Sequence, residues 1–269
     1  MIRTLFLLSK YYSIQVRSKM QYRASVVMEA VSRMAVAFLE FGAVALVLPL
    51  FGTLGGWDMG KLAFLYGVVN IAFGVMDMFF GGFSPRSFGR HIRMGTFDQL
   101  LLRPVNITLQ VLGSNIALRR IGRITSGVVI LLISFSLNEI LWTGPKIIVL
   151  LLAFFSQIAY FGGLLMIGAS INFWTVESVE IINIFTYGGT ELISYPMHIY
   201  PLWLRRFFTY ILPAIFLNYY PAIYILGLPD PLNFPWYAHW VAPAAGFAIF
   251  AAAYQFWLFG LNHYQSTGS

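Results

Sequence analysis

Long apolar segments alternate with short polar ones along most of this chain. Apolar residues dominate the segments 34–51, 62–83, 124–141, 147–171 and 240–261. A helix crosses the hydrocarbon core of a bilayer with about 20 predominantly apolar residues. We therefore predict that each of these segments is a membrane-spanning helix, joined to the next by a turn or a loop.

The part between 179 and 235 departs from this pattern. The segment 179–195 is short and polar, with Asn183, Glu191 and two glycines, and we predict that it is the fifth of six spans. Prolines at positions 201, 213, 221, 229 and 231 then interrupt an apolar stretch. Because proline breaks a helix interior, this stretch is predicted to form short helices that enter the membrane and turn back, covered by protein.

The first 23 residues mix apolar and basic positions. Leu5, Leu8, Tyr12 and Val16 recur at a spacing of three or four residues, which places them on one face of a helix. Such a helix is typical of the membrane interface. An N-terminal extension of the first span remains an alternative.

These elements define the predicted fold class. It is an all-α integral membrane protein with six transmembrane helices, an N-terminal amphipathic interface helix, and re-entrant outer helices between the fifth and sixth spans. No internal repeat or linker divides the chain, so residues 1–269 are predicted to form a single transmembrane domain.

Positive charge supports the same topology. Most of the 17 Lys and Arg residues fall between positions 3 and 33 or between 86 and 123, with two predicted spans separating the groups. Basic loops remain on the cytoplasmic side of a membrane. Both groups, and both chain termini, are therefore expected in the cytoplasm.

Composition narrows the functional classes. Charged residues make up 10% of the chain and hydrophobic residues 59%, whereas soluble domains carry roughly 25% charged residues. The net charge of +7 is then explained by orientation and contact with membrane lipid, and no nucleic-acid partner is expected.

The chain has no cysteine, which excludes disulfides and thiolate chemistry. The scattered histidines predict no metal site, and no catalytic cluster is visible.

One segment resembles a phosphate-binding loop. Residues 55–61, GGWDMGK, fit the spacing G-x-x-x-x-G-K, but Leu62 stands where Ser or Thr should bind Mg²⁺. The segment also lies between two predicted spans and does not follow a strand. We interpret it as a turn.

Three carboxylates fall inside predicted spans: Glu40, Asp77 and Glu191. Intramembrane ionisable groups usually face a bundle interior and often mark a pathway. We expect Glu40 and Asp77 to pair with Arg33 and Arg86, which are near in sequence, whereas Glu191 has no evident local partner. An ion-coupled secondary carrier that uses these carboxylates is the alternative function, although inverted repeats typical of carriers are not evident.

The basic loop carries the most specific motif, Gly95-Thr96-Phe97-Asp98-Gln99-Leu100-Leu101-Leu102-Arg103-Pro104-Val105. With the proline-rich segment 195–227 and the tail 260–266, it resembles permease subunits of ABC-2 type ABC transporters. The resemblance covers essentially the whole chain. It implies a non-catalytic permease domain that forms the export pathway in the plasma membrane of a bacterium or archaeon.

The resemblance also implies partners. These are a second permease, identical or paralogous, and two ABC ATPase subunits that hold the ATP and Mg²⁺, so this chain needs no cofactor. The ATPase-coupling loop would comprise Gly95, Thr96, Phe97, Asp98, Gln99, Leu100, Leu101, Arg103 and Pro104. The outer gate would comprise Tyr195, Pro196, Pro213, Phe216, Tyr219, Tyr220 and Pro221.

The coupling loop has a physical rationale. Thr96 and Asp98 are expected to cap a short helix, and Phe97, Leu100 and Leu101 to give it an apolar ridge for the ATPase. An amphipathic segment on the lipid surface is the alternative. Because the second short turn contains Glu177 and Glu180, most ATPase contact is expected from the 84–123 loop and the N-terminal helix.

Overall fold

The computed structural model describes residues 2–175, 181–233 and 235–265. Within these ranges every regular element is helical, and the one β-bridge, between Leu54 and Trp57, closes a turn. Glu177, Glu180 and the end of the predicted tail, Ser266, lie outside the described residues.

Helices long and apolar enough to cross a membrane form the main body. They are α2 (Arg23–Phe51), α3 (Met59–Phe79), α7 (Ile121–Leu137), α8 (Gly144–Ile171) and α13 (Ala238–Asn262). These five correspond to the predicted spans 1, 2, 3, 4 and 6, which confirms an all-α multi-pass membrane protein.

The predicted fifth span is a broken helix in its described part. It comprises α9 (Ile181–Asn183), a π-helical turn (Ile184–Gly188) and α10 (Gly189–Ile193). This length is below the roughly 20 residues that a span needs. The broken helix packs against α3 and α8.

The proline-rich stretch turns back on itself. Helix α11 (Leu202–Arg206) continues through a π-helical turn (Phe207–Ile211), and α12 (Ile215–Leu226) follows at an angle of 102°. Pro213 lies in the bend, where its missing N–H and fixed φ end the preceding helix. The amide of Asn218 donates hydrogen bonds to the carbonyls of Leu65 and Ile193, which fastens α12 to α3 and α10.

Helix α3 is the centre of the bundle. Within the most apolar 18 residues of each helix, 78% of the residues are buried in α3, 17% in α2 and 22% in α13. It packs along α7, α8 and α12, while α8 packs along α13. Large parts of α2 and α13 therefore remain available to lipid or to another subunit.

Glycines allow the close contact between α3 and α7. A methyl group added at Gly67 would lie 2.8 Å from Leu131 Cβ, and one at Gly127 would lie 2.9 Å from Ile71. Small residues at such positions let helix backbones approach, which is a common basis of helix association in membranes.

Short helices gather at one end of the bundle, which we call the basic end. They are α1 (Ile2–Met20), α4 (Pro85–Arg93), α5 (Thr96–Leu101) and α6 (Ile107–Gly113). A turn at Gln21 and Tyr22 separates α1 from α2, and α1 packs against α6. The predicted separate N-terminal helix is thus observed.

The opposite end, which we call the aromatic end, contains the turn 52–58 and the segments around α11 and α12. The carboxylate of Asp58 caps α3 by accepting from the N–H of Lys61 at 3.1 Å, and it pairs with Lys61 Nζ at 2.6 Å. Burial alone would raise the pKa of Asp58, but the hydrogen bonds and charge of Lys61 lower it. The lysine of the phosphate-loop-like segment is therefore held by a helix cap.

Candidate functional site

Helix α3 carries a row of polar and aromatic side chains in an otherwise apolar sequence. Tyr66, Asn70, Phe73 and Asp77 are spaced four, three and four residues apart, which places them on one helix face. Asn70 and Asp77 are buried, at 1% and 5% exposure. We call these residues and the groups that contact them the polar row.

Asp77 forms the end of the polar row nearest the basic end. Its carboxylate makes an ion pair with Arg120, which directly precedes α7, and both side chains are at least nine-tenths buried. The hydroxyl of Tyr187, in the π-helical turn, donates to Asp77 Oδ2 at 3.5 Å and accepts from Arg120 at the same distance. Three separate elements therefore meet at Asp77.

Arg123, one turn further along α7, lies at the centre of the row. Its Nε donates to Asn70 Oδ1 at 2.6 Å, and its guanidinium lies 4.6 Å from the centre of the Phe73 ring. Its Nη2 is 3.5 Å from the carboxylate of Glu191 on α10. Arginine suits this position because its planar group both forms hydrogen bonds and stacks on aromatic rings.

Glu40 reaches the row from α2. Its carboxylate accepts from the hydroxyl of Tyr66 at 3.2 Å, and that hydroxyl lies at the same distance from the carbonyl oxygen of Ala37. Glu40 itself is exposed in the single chain. The polar row thus extends from the basic end to the middle of α2.

These contacts correct the predicted pairing of the carboxylates. Asp77 pairs with Arg120 and not with Arg86, and Glu40 contacts Tyr66 and not Arg33. Arg33 and Arg86 are both exposed. The prediction failed because it considered only bases near in sequence, whereas packing of α3 against α7 brings Arg120 and Arg123 to the carboxylates.

A glycine makes room for this arrangement. A methyl group added at Gly122, between the two arginines, would collide with the carbonyl oxygen of Ala30 on α2. The absence of a side chain at this position lets the start of α7 lie against α2 while Arg120 and Arg123 reach α3.

The row combines two arginines with three carboxylates, and one of its faces is open. The Glu191 side chain is 54% exposed, whereas those of Arg120 and Asp77 are 10% and 7% exposed. A charged group facing lipid is costly, so this face requires another protein surface or water. Among the described residues no group of His, Asp and Glu could hold a metal ion.

Sequence reasoning identified the three carboxylates but missed the residues that contact them or each other in the row, namely Tyr66, Asn70, Arg120, Arg123 and Tyr187. The spacing of polar residues along α3 was a signal that could have found Asn70. Arg120 and Arg123 were assigned to the basic loop because they adjoin its other basic residues.

The predicted coupling loop forms a compact helical layer at the basic end. Gly95, with φ of 64°, precedes α5 in the left-handed region and has no side chain that could cap this helix. The two predicted caps make contacts elsewhere in the layer: Thr96 Oγ1 lies 2.9 Å from His91 Nδ1, and Asp98 accepts from the Tyr264 hydroxyl at 3.0 Å. Burial and the charge of Arg90 lower the pKa of His91.

Phe97 anchors this layer to the bundle. It is fully buried, and its ring packs edge-on against Phe88 and Tyr264 at centroid distances of 5.3 and 5.0 Å. The prediction that Phe97 belongs to an exposed ridge is therefore wrong, because the apolar face of α5 is covered by the chain's own aromatic side chains. Leu100 also packs against the core.

The exposed side of the loop contains different residues. Leu101 is 41% exposed and Leu102 is 86% exposed. Gln99, Arg103 and Pro104 are also exposed. These residues form the accessible surface of the loop, and we call them the loop tip.

The predicted gate residues lie at the aromatic end, but two of them face inward. Tyr219 and Tyr220 are 1% and 3% exposed. His198 connects Tyr219 to the turn 52–58, because its Nδ1 lies 2.8 Å from the Tyr219 hydroxyl and its Nε2 lies 2.8 Å from the carbonyl oxygen of Gly55. Trp57 stacks on the Tyr219 ring. The predicted protein cover of this stretch therefore comes, for these two tyrosines, from the chain itself.

The other predicted gate residues share this region. Pro196 and Pro221 are buried, and Tyr195, Pro213 and Phe216 are partly buried. The large exposed side chains of α11 and the π-helical turn after it belong to other positions, such as Trp203 at 69%, Tyr210 at 76% and Ile211 at 65%.

Comparison with known proteins gives one family. A family model described as ABC-2 family transporter protein matches residues 34–268. No curated protein and no solved structure matches the chain. The match includes the polar row, the loop tip and the aromatic end.

Proposed function

Because this chain belongs to the ABC-2 family of transporter proteins, we propose that it is the permease subunit of an ATP-driven exporter. It would form the pathway together with a second permease, identical or paralogous. Two separate ATPase subunits would bind and hydrolyse ATP with Mg²⁺. The chain itself performs no chemistry in this proposal.

The open face of the polar row is the observation that carries the proposal. Glu191 is half exposed beside Arg123, and Glu40 is exposed beside Tyr66 in the apolar part of α2. Ionisable groups at membrane depth usually line a protein interior or a water-filled cavity. A second permease placed against this face would enclose such a cavity.

The basic end is proposed to face the cytoplasm of a bacterium or archaeon. The positive-inside rule favours this orientation, and α1, α4 and the segment before α7 place basic side chains together there. These residues would also contact anionic lipid. Both termini would then be cytoplasmic, with the aromatic end outside.

ATPase contact is proposed for the loop tip. Leu102 is an exposed apolar residue beside Arg103, while Phe97 holds α5 firmly on the bundle. Since α7 begins shortly after this loop with Arg120 and Arg123 at its start, movement of the loop would change the contacts of the polar row. Gating at the aromatic end would follow from movement of α11 and α12.

An ion-coupled carrier is the second candidate, favoured by the partly exposed carboxylate of Glu191. The two candidates differ in energy source. Collapse of the ion gradient would stop the carrier, whereas loss of the ATPase would stop the exporter.

Isolation from native membranes with a tag on this chain tests the proposal. Mass spectrometry should identify an ABC ATPase and a second permease, and the complex should hydrolyse ATP. The chain expressed alone should not hydrolyse ATP. An isolated chain free of ATPase partners, with transport that requires only an ion gradient, would contradict the proposal.

A further inference from the structure

A cavity of about 250 Å³ opens at the aromatic end, between the end of α12, the following loop and the start of α13. The side chains of four ring-bearing residues line it: Tyr220, Tyr224, Trp236 and His239. Tyr220 is 3% exposed and Trp236 is 81% exposed. The cavity therefore has a buried side and an open mouth.

Defined contacts hold two of these rings. The Tyr224 ring and the His239 imidazole stack face to face, with centroids 3.8 Å apart and planes inclined by 5°. Gly227, with φ of 67°, ends α12 and redirects the chain so that the next loop returns over these rings. This wall is thus built from two helices and not from a single loop.

One carboxylate supplies the charge. Asp230 lines this cavity and also a neighbouring one of about 260 Å³ that contains Trp57 and His198. Asp230 Oδ1 accepts from the N–H of Leu232 at 2.9 Å, which helps to orient the carboxylate. The residues lining the two cavities include no Lys and no Arg.

Aromatic rings combined with a carboxylate fit a particular ligand chemistry. The faces of Tyr and Trp attract cations by about 0.5–1 kcal/mol at exposed sites and about 2 kcal/mol when desolvated, and this is the basis of quaternary ammonium recognition. Small metal cations prefer several oxygen ligands, which the cavity lining does not offer in number. An anion would be repelled by Asp230.

We propose that this cavity binds a substituted ammonium group. The group belongs either to a soluble organic cation or to the head group of a lipid, because Tyr237 and Trp240 beside the cavity are exposed aromatic residues of the kind found at membrane interfaces. The proposal concerns binding by this chain and does not depend on ATP-driven transport.

Choline and its uncharged isostere 3,3-dimethyl-1-butanol provide a direct test. Binding of radiolabelled choline to the purified full chain in detergent should be saturable. Unlabelled choline should compete, and the isostere should compete at least tenfold less well. Absence of saturable choline binding, or equal competition by the isostere, would overturn the proposal.

Variants locate the site. Tyr224→Leu removes a ring and should weaken choline binding about tenfold, whereas Tyr224→Phe keeps the ring and should bind within about twofold of the original chain. Asp230→Asn should also weaken binding, which keeps the test valid if Tyr224→Leu does not fold. Trp203→Leu, at an exposed aromatic outside the cavity, is the control. Unchanged choline binding in both Tyr224→Leu and Asp230→Asn would refute the assignment.

Nanodiscs distinguish the two sources of the ligand. In discs of phosphatidylglycerol alone, choline should bind as in detergent. If a lipid head group is the ligand, addition of phosphatidylcholine should lower the apparent affinity for choline through competition. If the ligand is soluble, the affinity should be the same in both discs.

Discussion

Arg123 and Asn70 are joined across the contact between α7 and α3 by a hydrogen bond of 2.6 Å, in which the guanidinium donates to the amide oxygen. The same guanidinium reaches Glu191 on α10. Because α7 starts directly after the basic loop, this bond connects the loop to the open face of the bundle. Arg123 is therefore the residue through which we expect loop movement to alter the polar row.

The ion pair of Asp77 and Arg120 should stabilise the bundle. Removing one partner leaves the other charge buried, so Asp77→Asn should lower the free energy of unfolding by about 3–5 kcal/mol. Arg120→Gln should do the same, while the double variant should lose less than the sum. Unfolding in mixed micelles measures these values, with Glu139→Gln at an exposed carboxylate as control. Additive losses would show that the two residues do not interact.

Gly122 should tolerate no side chain. Gly122→Ala places a methyl group against the carbonyl oxygen of Ala30, and overpacking of this kind costs about 1–3 kcal/mol. Gly42→Ala on α2 is the matched control, because nothing lies within 4 Å of the added methyl group. Thermal unfolding of the two variants in one detergent makes the comparison. Equal thermal unfolding midpoints for Gly122→Ala and Gly42→Ala would contradict the close approach of α7 to α2.

Membrane spans could be predicted from the sequence because each requires only a long apolar run, which is a local property. The partners of Asp77 and Glu191 could not, because Arg120 and Arg123 reach them only through the packing of α3, α7 and α10. The apolar face of α5 was recognised, but its cover comes from Phe88 on α4 and from Tyr264 near the other end of the chain. An amphipathic pattern shows that a face is buried without showing what buries it.

Phe97 and Leu102 should have separable effects. Phe97→Ala removes a fully buried ring and should destabilise the chain by about 3–5 kcal/mol. Leu102→Asp changes a residue that is 86% exposed and should leave the unfolding midpoint unchanged while reducing ATPase binding. Thermal unfolding and co-purification of the ATPase measure the two effects. A Leu102→Asp variant that binds the ATPase normally would exclude Leu102 from the contact.

Accessibility should distinguish exposed from buried residues in the segment from α11 to α12. The chain has no cysteine, so single cysteines can be introduced at Tyr210, which is 76% exposed, and at Tyr219, which is 1% exposed. A membrane-permeant thiol reagent should label the first much faster than the second in the intact protein. Equal labelling rates would contradict the inward position of Tyr219.

Photo-cross-linking can show whether a separate ATPase contacts this permease at its loop tip, as we propose. A photoreactive amino acid at Leu102 would be irradiated in native membranes, with Leu141, 80% exposed at the other end of the bundle, as control. The expected result is a covalent product of Leu102 with an ABC ATPase and no such product from Leu141. An ATPase product from Leu141, or none from Leu102 in membranes that contain the assembled transporter, would contradict it.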